Sequence, residues 1–431
     1  MDTTALYHAV WRWHFYAGLI ILPVLAWMAA TGALYLYKPE VERAVYGQWT
    51  QRQYTGDPIT LGAMVESVSL QAHGRITRIA RPADDAGSWR MTVERADGEK
   101  RTVFVDPALG LVMGDVPEGG VMKTVKDLHS LVITGPIGNA LVEIVAGWTI
   151  LLCLTGFYLW WPRAGQKALA LRGTPRGRLF WRDLHASTGA IAGVVILFLA
   201  VTGMPWSGFW GEQLQGVVSA TGTGRPAAPG PAPWEHRDHH AAAELPWSMQ
   251  ASPAPHGHGA GHIGPDHVAA IAAARGIGPG WTMVMPPAPG APWLVTDASA
   301  KTADTRVLYI DAGNGNVLQD ARWSDFGGGA KTIEWGIAVH QGEQYGEANR
   351  LVMLAGCIAI LLLALSAPIL WWKRRFAAPP PARDAGRTQG VAAIMLVLGA
   401  LFPLTGATML AALLGEWLWN RRRILARSRP G

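Results

Sequence analysis

HASTGAIAGVVILFLAVTG, residues 185–203, decides how the chain is read, because a second version of it, HFYAGLIILPVLAWMAATG, occupies residues 14–32. Each begins with a histidine. A glycine stands one helical turn later (Gly18, Gly189), and Thr-Gly then follows at the same distance in both (Thr31-Gly32, Thr202-Gly203). The sequence between these anchors is apolar, and a helix of about 20 apolar residues crosses a bilayer. Both stretches are therefore expected to be membrane helices with a histidine at the entrance. Two histidines at one depth on neighbouring helices are placed to grip something flat between them.

The totals agree with a membrane protein. The 431 residues are 50% hydrophobic and only 16% charged, and they include 21 Trp, a residue that favours membrane interfaces. The net charge of +6 sits in short clusters beside apolar runs, which argues against a nucleic-acid partner. Cys153 and Cys357 lie inside apolar runs, so neither a disulfide framework nor a thiolate metal site is expected. The first apolar run is too long for the core of a signal peptide, and its internal match argues for a retained helix.

In chain order, spans are expected within 1–37 and at 138–161, 185–206 and 350–372. The loop 162–184 carries Arg163, Lys167, Arg172, Arg176, Arg178 and Arg182 against Asp183 alone. The loop 373–390 carries Lys373, Arg374, Arg375, Arg383 and Arg387 against Asp384 alone. The positive-inside bias puts both loops and the N-terminus in the cytoplasm, with segments 38–137 and 207–349 on the other side. A fifth apolar segment, 391–419, precedes a basic tail, 420–431, and is interrupted by Pro403 and Gly406. It reads as a kinked helix, or as a short hairpin that keeps the tail on the basic side, with arms of ~20 Å each.

The duplication goes further. His129 precedes Trp160-Trp161 by the same interval at which His340 precedes Trp371-Trp372 (160−129 = 371−340). DPALGLVMGD from Asp106 is echoed by DAGNGNVLQD from Asp311, and Asp-x₃-Gly after a β-rich run reads as a hairpin turn. Upstream lie helix-like stretches (60–73, 266–275) and strand-like runs at 76–80, 89–94 and 101–106, then at 281–286, 292–297 and 305–311. The expected fold is a mainly α membrane protein built as a tandem repeat of helix, outer α+β domain, helix. The outer domains fall at about 57–116 and about 263–321. A Gly/Pro/Ala-rich linker, 221–235, leads into a His-rich linker, 236–262.

Taken singly, an interfacial histidine snorkels or caps a helix. Four of them (His14, His129, His185, His340) at matched spacings point to function, because ionisable groups at membrane depth are costly. Imidazole suits iron, copper and zinc. A b-type haem held by two histidines fits an apolar setting, and Gly18 and Gly189 would leave a porphyrin room one turn away. A bare metal would want carboxylates, and the apolar runs hold only Glu143 and Glu416. The stretch from His129 to Trp160, as straight helix, would measure ~46 Å against a hydrocarbon core of ~30 Å, so helix breaks are expected at Gly135-Pro136 and near Gly342 and Gly346. Separately, His236, His239, His240, His256, His258 and His262 give the linker spacings compatible with copper, zinc, nickel or iron capture.

The segments RWHFYAGL, DLHSLVITG and DLHASTGAIAG and the helix ends WWPR and WWKR resemble the PepSY-associated transmembrane family over about residues 8–375. That family includes inner-membrane ferric-siderophore reductases. The resemblance implies periplasmic PepSY-like domains on a helix bundle and, for the reductase members, two b-type haems with His14, His129, His185 and His340 in the family's histidine positions. It further implies an enzyme that passes electrons across the inner membrane to a periplasmic ferric-siderophore or other metal complex. The His-rich insert departs from the pattern and leaves the substrate open. No GxGxxG fingerprint appears on a strand–helix turn, so the electron donor is expected to be a separate partner, a quinol or a cytoplasmic reductase. The competing class is a non-redox metal-binding or regulatory membrane protein. A transporter is disfavoured, because the repeats run parallel and have few interior breaks.

Overall fold

The computed structural model describes residues 3–50, 56–83, 87–161, 169–224, 245–250, 255, 257, 262–297, 301–374, 397 and 399–427. The chain divides into two compact units. A helical unit comprises Met1–Ala33, Asp127–Gln213 and Arg350–Gly431, and a sheet unit comprises Leu34–Lys126 and Leu214–Asn349.

Among the described residues, four helices are long and apolar enough to cross a membrane: α1 (Thr3–Tyr35), α5 (Pro136–Trp160), α6 (Arg178–Gly203) and α11 (Glu347–Lys373). Their starts differ from the sequence reading. α6 opens at Arg178, so His185 lies two turns inside the helix, and His14 lies about three turns inside α1. The charged residues that end the apolar run do not end the helix. Buried Asp183 accepts from Arg172 Nε and Arg182 Nη2, both at 2.8 Å, and so is paired rather than orphaned.

The apolar faces interlock at glycines. A Cβ on Gly193 would stand 2.6 Å from the Phe157 ring, and one on Gly356 would stand 2.8 Å from Val195, so these residues set how closely α6 meets α5 and α11. A last helix, α12 (Pro403–Arg427), packs on α5, where Trp148 Nε1 donates to Thr408 Oγ1 at 2.9 Å. The fifth apolar segment is broken at Phe402. A Cβ on Gly406 would lie 2.6 Å from Gly399 Cα, whereas two turns of unbroken helix would hold them about 10 Å apart, so the chain doubles back there. The two carboxylates of the apolar runs are both engaged. Glu416 pairs with Arg12. Glu143, 1% exposed, accepts through Oε2 from the backbone N–H groups of Phe209 and Trp210 at 3.1 Å. These are the orphan donors at the start of α7 (Gly208–Ala220), and a carboxylate at a helix N-terminus satisfies both them and the dipole.

The sheet unit carries one eight-stranded antiparallel sheet in the order β4-β3-β2-β1-β5-β6-β7-β8. The strands are β1 (Gly74–Ala80), β2 (Trp89–Arg95), β3 (Lys100–Asp106), β4 (Leu111–Pro117), β5 (Trp281–Val284), β6 (Trp293–Asp297), β7 (Arg306–Ile310) and β8 (Val317–Arg322). Each half therefore has four strands, one more than the sequence reading counts: β4 and β8 follow the Asp106 and Asp311 turns. Those turns form as read. Asp106 Oδ1 accepts from Ala108 N, Asp311 Oδ1 accepts from Gly313 N, and Gly110 and Gly315 take positive φ of 65° and 78°.

Helices α3 (Leu61–Ala72) and α9 (Pro265–Ala274) cover one face and bury Met64, Val68 and Val268 against Ile79, Met91, Met283 and Leu308. Asp266 of α9 accepts from Leu61 N and Gly62 N at 2.7 and 2.8 Å and so caps α3 across the seam. α2 (Lys38–Thr50) packs Tyr46 and Trp49 on Phe104 of the opposite face. The first half runs on into α4 (Gly120–His129). The second contains the short α8 (Trp247–Gln250) before its strands and runs on into α10 (Gly328–His340).

Glu143→Ala would strip the acceptor from the start of α7. The expected loss is about 0.5–2 kcal/mol, read as a lower midpoint of thermal unfolding in detergent. In the sheet unit, hydrogen bonds from Arg306, then Arg322, hold the Asp320 carboxyl down at about 2 from its ordinary 3.8. The ionised form therefore adds stability above pH 3.8, and that contribution is lost as pH falls through about 2. Asp320→Asn should match the wild type's stability at the acid end and fall below it above that window.

Candidate cofactor-binding histidines

An imidazole within an apolar bundle has one N–H to place and one lone pair left over. The structure places the N–H of three histidines in one way. His14 Nδ1 lies 2.9 Å from Thr155 Oγ1 of α5, and His185 Nδ1 lies 2.9 Å from Ser366 Oγ of α11. His129 Nδ1 lies 2.9 Å from the Met28 carbonyl and 3.1 Å from Thr31 Oγ1 of α1.

The acceptors decide the tautomer. Thr155 Oγ1 already gives its proton to Leu151 O at 2.8 Å, Ser366 Oγ to Leu363 O at 3.1 Å, and Thr31 Oγ1 to Trp27 O at 2.8 Å. A hydroxyl whose proton is spent can only accept, and the Met28 carbonyl can only accept. Each ring therefore donates from Nδ1 and carries its lone pair on Nε2. Anchoring one ring nitrogen so that the other is presented is how metal-ligating histidines are held.

Two of the anchoring hydroxyls are followed by glycine, and in each case the glycine is what lets the ring approach. A Cβ on Gly156 would be 3.3 Å from His14 Cε1, and one on Gly32 would be 3.1 Å from His129 Cε1. Thr155-Gly156 and Thr31-Gly32 thus act as pairs, with the hydroxyl binding the ring and the glycine making room. Gly18 and Gly189 do not touch the rings. A Cβ on either would make only ordinary contact, with Leu152 and Leu363 at 4.0 and 3.9 Å.

The rings of His14 and His185 come together with centroids 6.5 Å apart and planes at 88°. That is close enough for both to reach one metal ion with bonds of about 2 Å. His129 ends α4. The helix then breaks through a 3-10 turn, Val132–Thr134, and Gly135 at φ 75° before α5 begins at Pro136. Burial lowers the His129 pKa, and the hydrogen bond to Met28 opposes that shift only in part. Burial therefore favours the neutral ring, the form in which an imidazole can ligate a metal. His340 is the last residue of α10, half-buried in the sheet unit, and it too is followed by positive-φ glycines, Gly342 and Gly346, before α11.

Among the described residues no three His, Cys, Asp or Glu side chains converge as a metal cluster. Of the linker histidines only His262 lies among the described residues, where it is exposed; His236, His239, His240, His256 and His258 lie outside them. Thr155 and Ser366 escape the sequence reading, although a signal is present. They stand at one offset from the outer histidines in both copies (155−129 = 366−340), and each is followed by a small residue.

A family model for the PepSY-associated TM region matches residues 11–374. No curated protein matches the chain.

Thr155→Val and Ser366→Ala each leave a buried Nδ1–H without its acceptor. Each should cost about 1–3 kcal/mol, seen as a lower unfolding midpoint of the purified protein. Thr155→Ser, which keeps the hydroxyl, should recover most of the loss.

Proposed function

For a chain that belongs to the PepSY-associated transmembrane family, we propose a di-haem b oxidoreductase of the bacterial inner membrane that delivers electrons to a periplasmic ferric complex of the ferric-siderophore class. The observation that carries this reading is the common anchoring of His14, His185 and His129 by Nδ1. Three imidazoles with Nε2 freed are built to ligate.

A haem fits the donor set better than a bare ion. The chain offers two imidazoles at the inner site and no third donor among the described residues, and a porphyrin brings four nitrogens of its own. Further along the same helices the core residues are apolar, Ile21 and Leu25 on α1 and Ile196 on α6, a setting that suits a flat apolar macrocycle. When bound, such a group supplies a one-electron Fe(III)/Fe(II) couple inside the membrane.

The protein's own residues do the rest. Thr155 and Ser366 hold the inner rings against rotation, and Thr31 with the Met28 carbonyl holds an outer one. Their acceptor strength tunes how strongly each imidazole donates. The repeat assigns His14 and His185 to the group at the basic ends of the helices, and His129 and His340 to the other. Arg172, Arg176, Arg178, Arg182, Lys373 and Arg374 mark the basic ends as cytoplasmic by the positive-inside bias. The sheet unit is then periplasmic and holds both PepSY-like domains. The mirrored strand order and the Arg–Asp pairs at matched places, Arg101–Asp115 and Arg306–Asp320, support a tandem repeat.

The test is an absorption spectrum of the purified chain, oxidised and dithionite-reduced, with haem counted. Sharp reduced α and β bands with about two haems per chain are expected. His14→Ala and His185→Ala should each leave about one, with the folded protein intact. A featureless spectrum from haem-replete cells would refute the reading in favour of a non-redox metal-binding or regulatory protein.

A further inference from the structure

Between the basic ends of α6 and α11 lies a cavity of 530 Å³ lined by Pro175, Trp181, Ile369, Trp372 and Lys373. Helix spacing fixes its place. Trp181 is one turn from His185 on α6 (i, i+4), and Ile369 is one turn from Ser366 on α11 (i, i+3). His185 Nδ1 meets Ser366 Oγ at 2.9 Å, so the two helices touch there. The cavity is the next turn of the same groove.

We propose that this cavity seats the head group of a lipid-soluble quinol, whose electrons enter the protein at the His14/His185 pair. The proposal rests on the haem reading of that pair. Its size is that of a small-molecule site, and its walls are two indoles, a proline ring and an isoleucine, which present flat apolar surfaces to an aromatic ring. The Trp181 ring is fixed, because its Nε1 donates to Pro175 O at 2.7 Å. Lys373 Nζ donates one N–H to Arg176 O at 2.6 Å, and no hydrogen bond among the described residues takes its two others, which can turn to a quinol or quinone oxygen. The cavity stands at the end of two membrane-crossing helices with Trp372 71% exposed, so an isoprenoid tail can stay in lipid while the ring enters. A nicotinamide donor suits it less, because the lining has one ammonium and no glycine loop to cradle phosphates.

The reaction balances simply. The two O–H bonds of the quinol break, and both protons pass to water at the cavity mouth. The two electrons leave one at a time, each accepted in turn by the one-electron centre that His14 and His185 would hold, and the ring becomes the quinone. Trp181 and Ile369 position the ring one turn from the ligand His185 and from its anchor Ser366.

The experiment uses the full chain in lipid nanodiscs. An azido derivative of decylubiquinone is photolysed and its attachment mapped by mass spectrometry, and decylubiquinone affinity is measured by titration. The label should fall within 175–181 or 369–373 and be displaced by decylubiquinone but not by added phospholipid. Ile369→Trp, which fills the cavity, and Trp372→Ala, at an exposed position the fold tolerates, should each weaken decylubiquinone binding about tenfold with the haem bands unchanged. In stopped flow, haem reduction by decylubiquinol should slow to match. Label elsewhere, equal displacement by phospholipid, or unchanged affinity in both variants would overturn the quinol site while the haem bands stand. A chain that labels in the cavity but shows no haem bands would overturn electron entry and the haem reading together.

Discussion

One N–H inside an apolar bundle governs the helical unit. It cannot be left unpaired, and water is not there to take it. The acceptor has to come from a neighbouring helix, and it has to be a group with no proton of its own to offer. Thr155 and Ser366 meet this condition because their hydroxyl protons are already turned back to carbonyls of their own helices. The result is a histidine that donates from Nδ1 and keeps its lone pair on Nε2. The cross-helix bond also ties α1 to α5 and α6 to α11, so the site and the packing of the bundle have one cause.

The sheet unit solves a different problem. Four strands with covered faces still present an edge, and an exposed edge invites pairing with another chain. Here β1 pairs with β5, the first strand of the other half, and Ile79 sits opposite Met283, both fully buried, at the middle of the seam. The cap that Asp266 gives to α3 crosses the same seam. Each half thus completes the other's edge and helix end.

Much of this is legible in the sequence. Long apolar runs flanked by basic residues and Trp pairs define membrane helices whatever the tertiary structure, and an identical spacing from His to Thr-Gly in two copies is hard to produce by chance. The helix break after His129 follows from Gly135-Pro136, whose backbone needs are local. The rest depends on neighbours. Apart from the glycine that follows it, nothing local distinguishes Thr155 from Thr149, which turns its hydroxyl to the Val145 carbonyl. Gly18 and Gly156 look alike until the ring beside one of them is placed. β4 and β8 read as parts of turns because LVMGD and NVLQD are short, and their burial comes from the sheet rather than from an apolar run. The true start of α6 is hidden because a charged stretch looks like a helix end, when Asp183 is buried in ion pairs.

The β1–β5 seam has a consequence for biosynthesis. Its two strands lie far apart in the chain, β1 ending at Ala80 and β5 beginning at Trp281. At about 5–20 residues per second, the ribosome delivers the second strand roughly 10–40 s after the first. For that interval the first half stands with its central strand exposed. Arg78 lies in the stretch that later pairs with β5, opposite Val284, and a charged residue on a waiting edge is the kind of guard that keeps an unpaired strand from recruiting the wrong partner. The value of such a residue is greatest before the fold is complete.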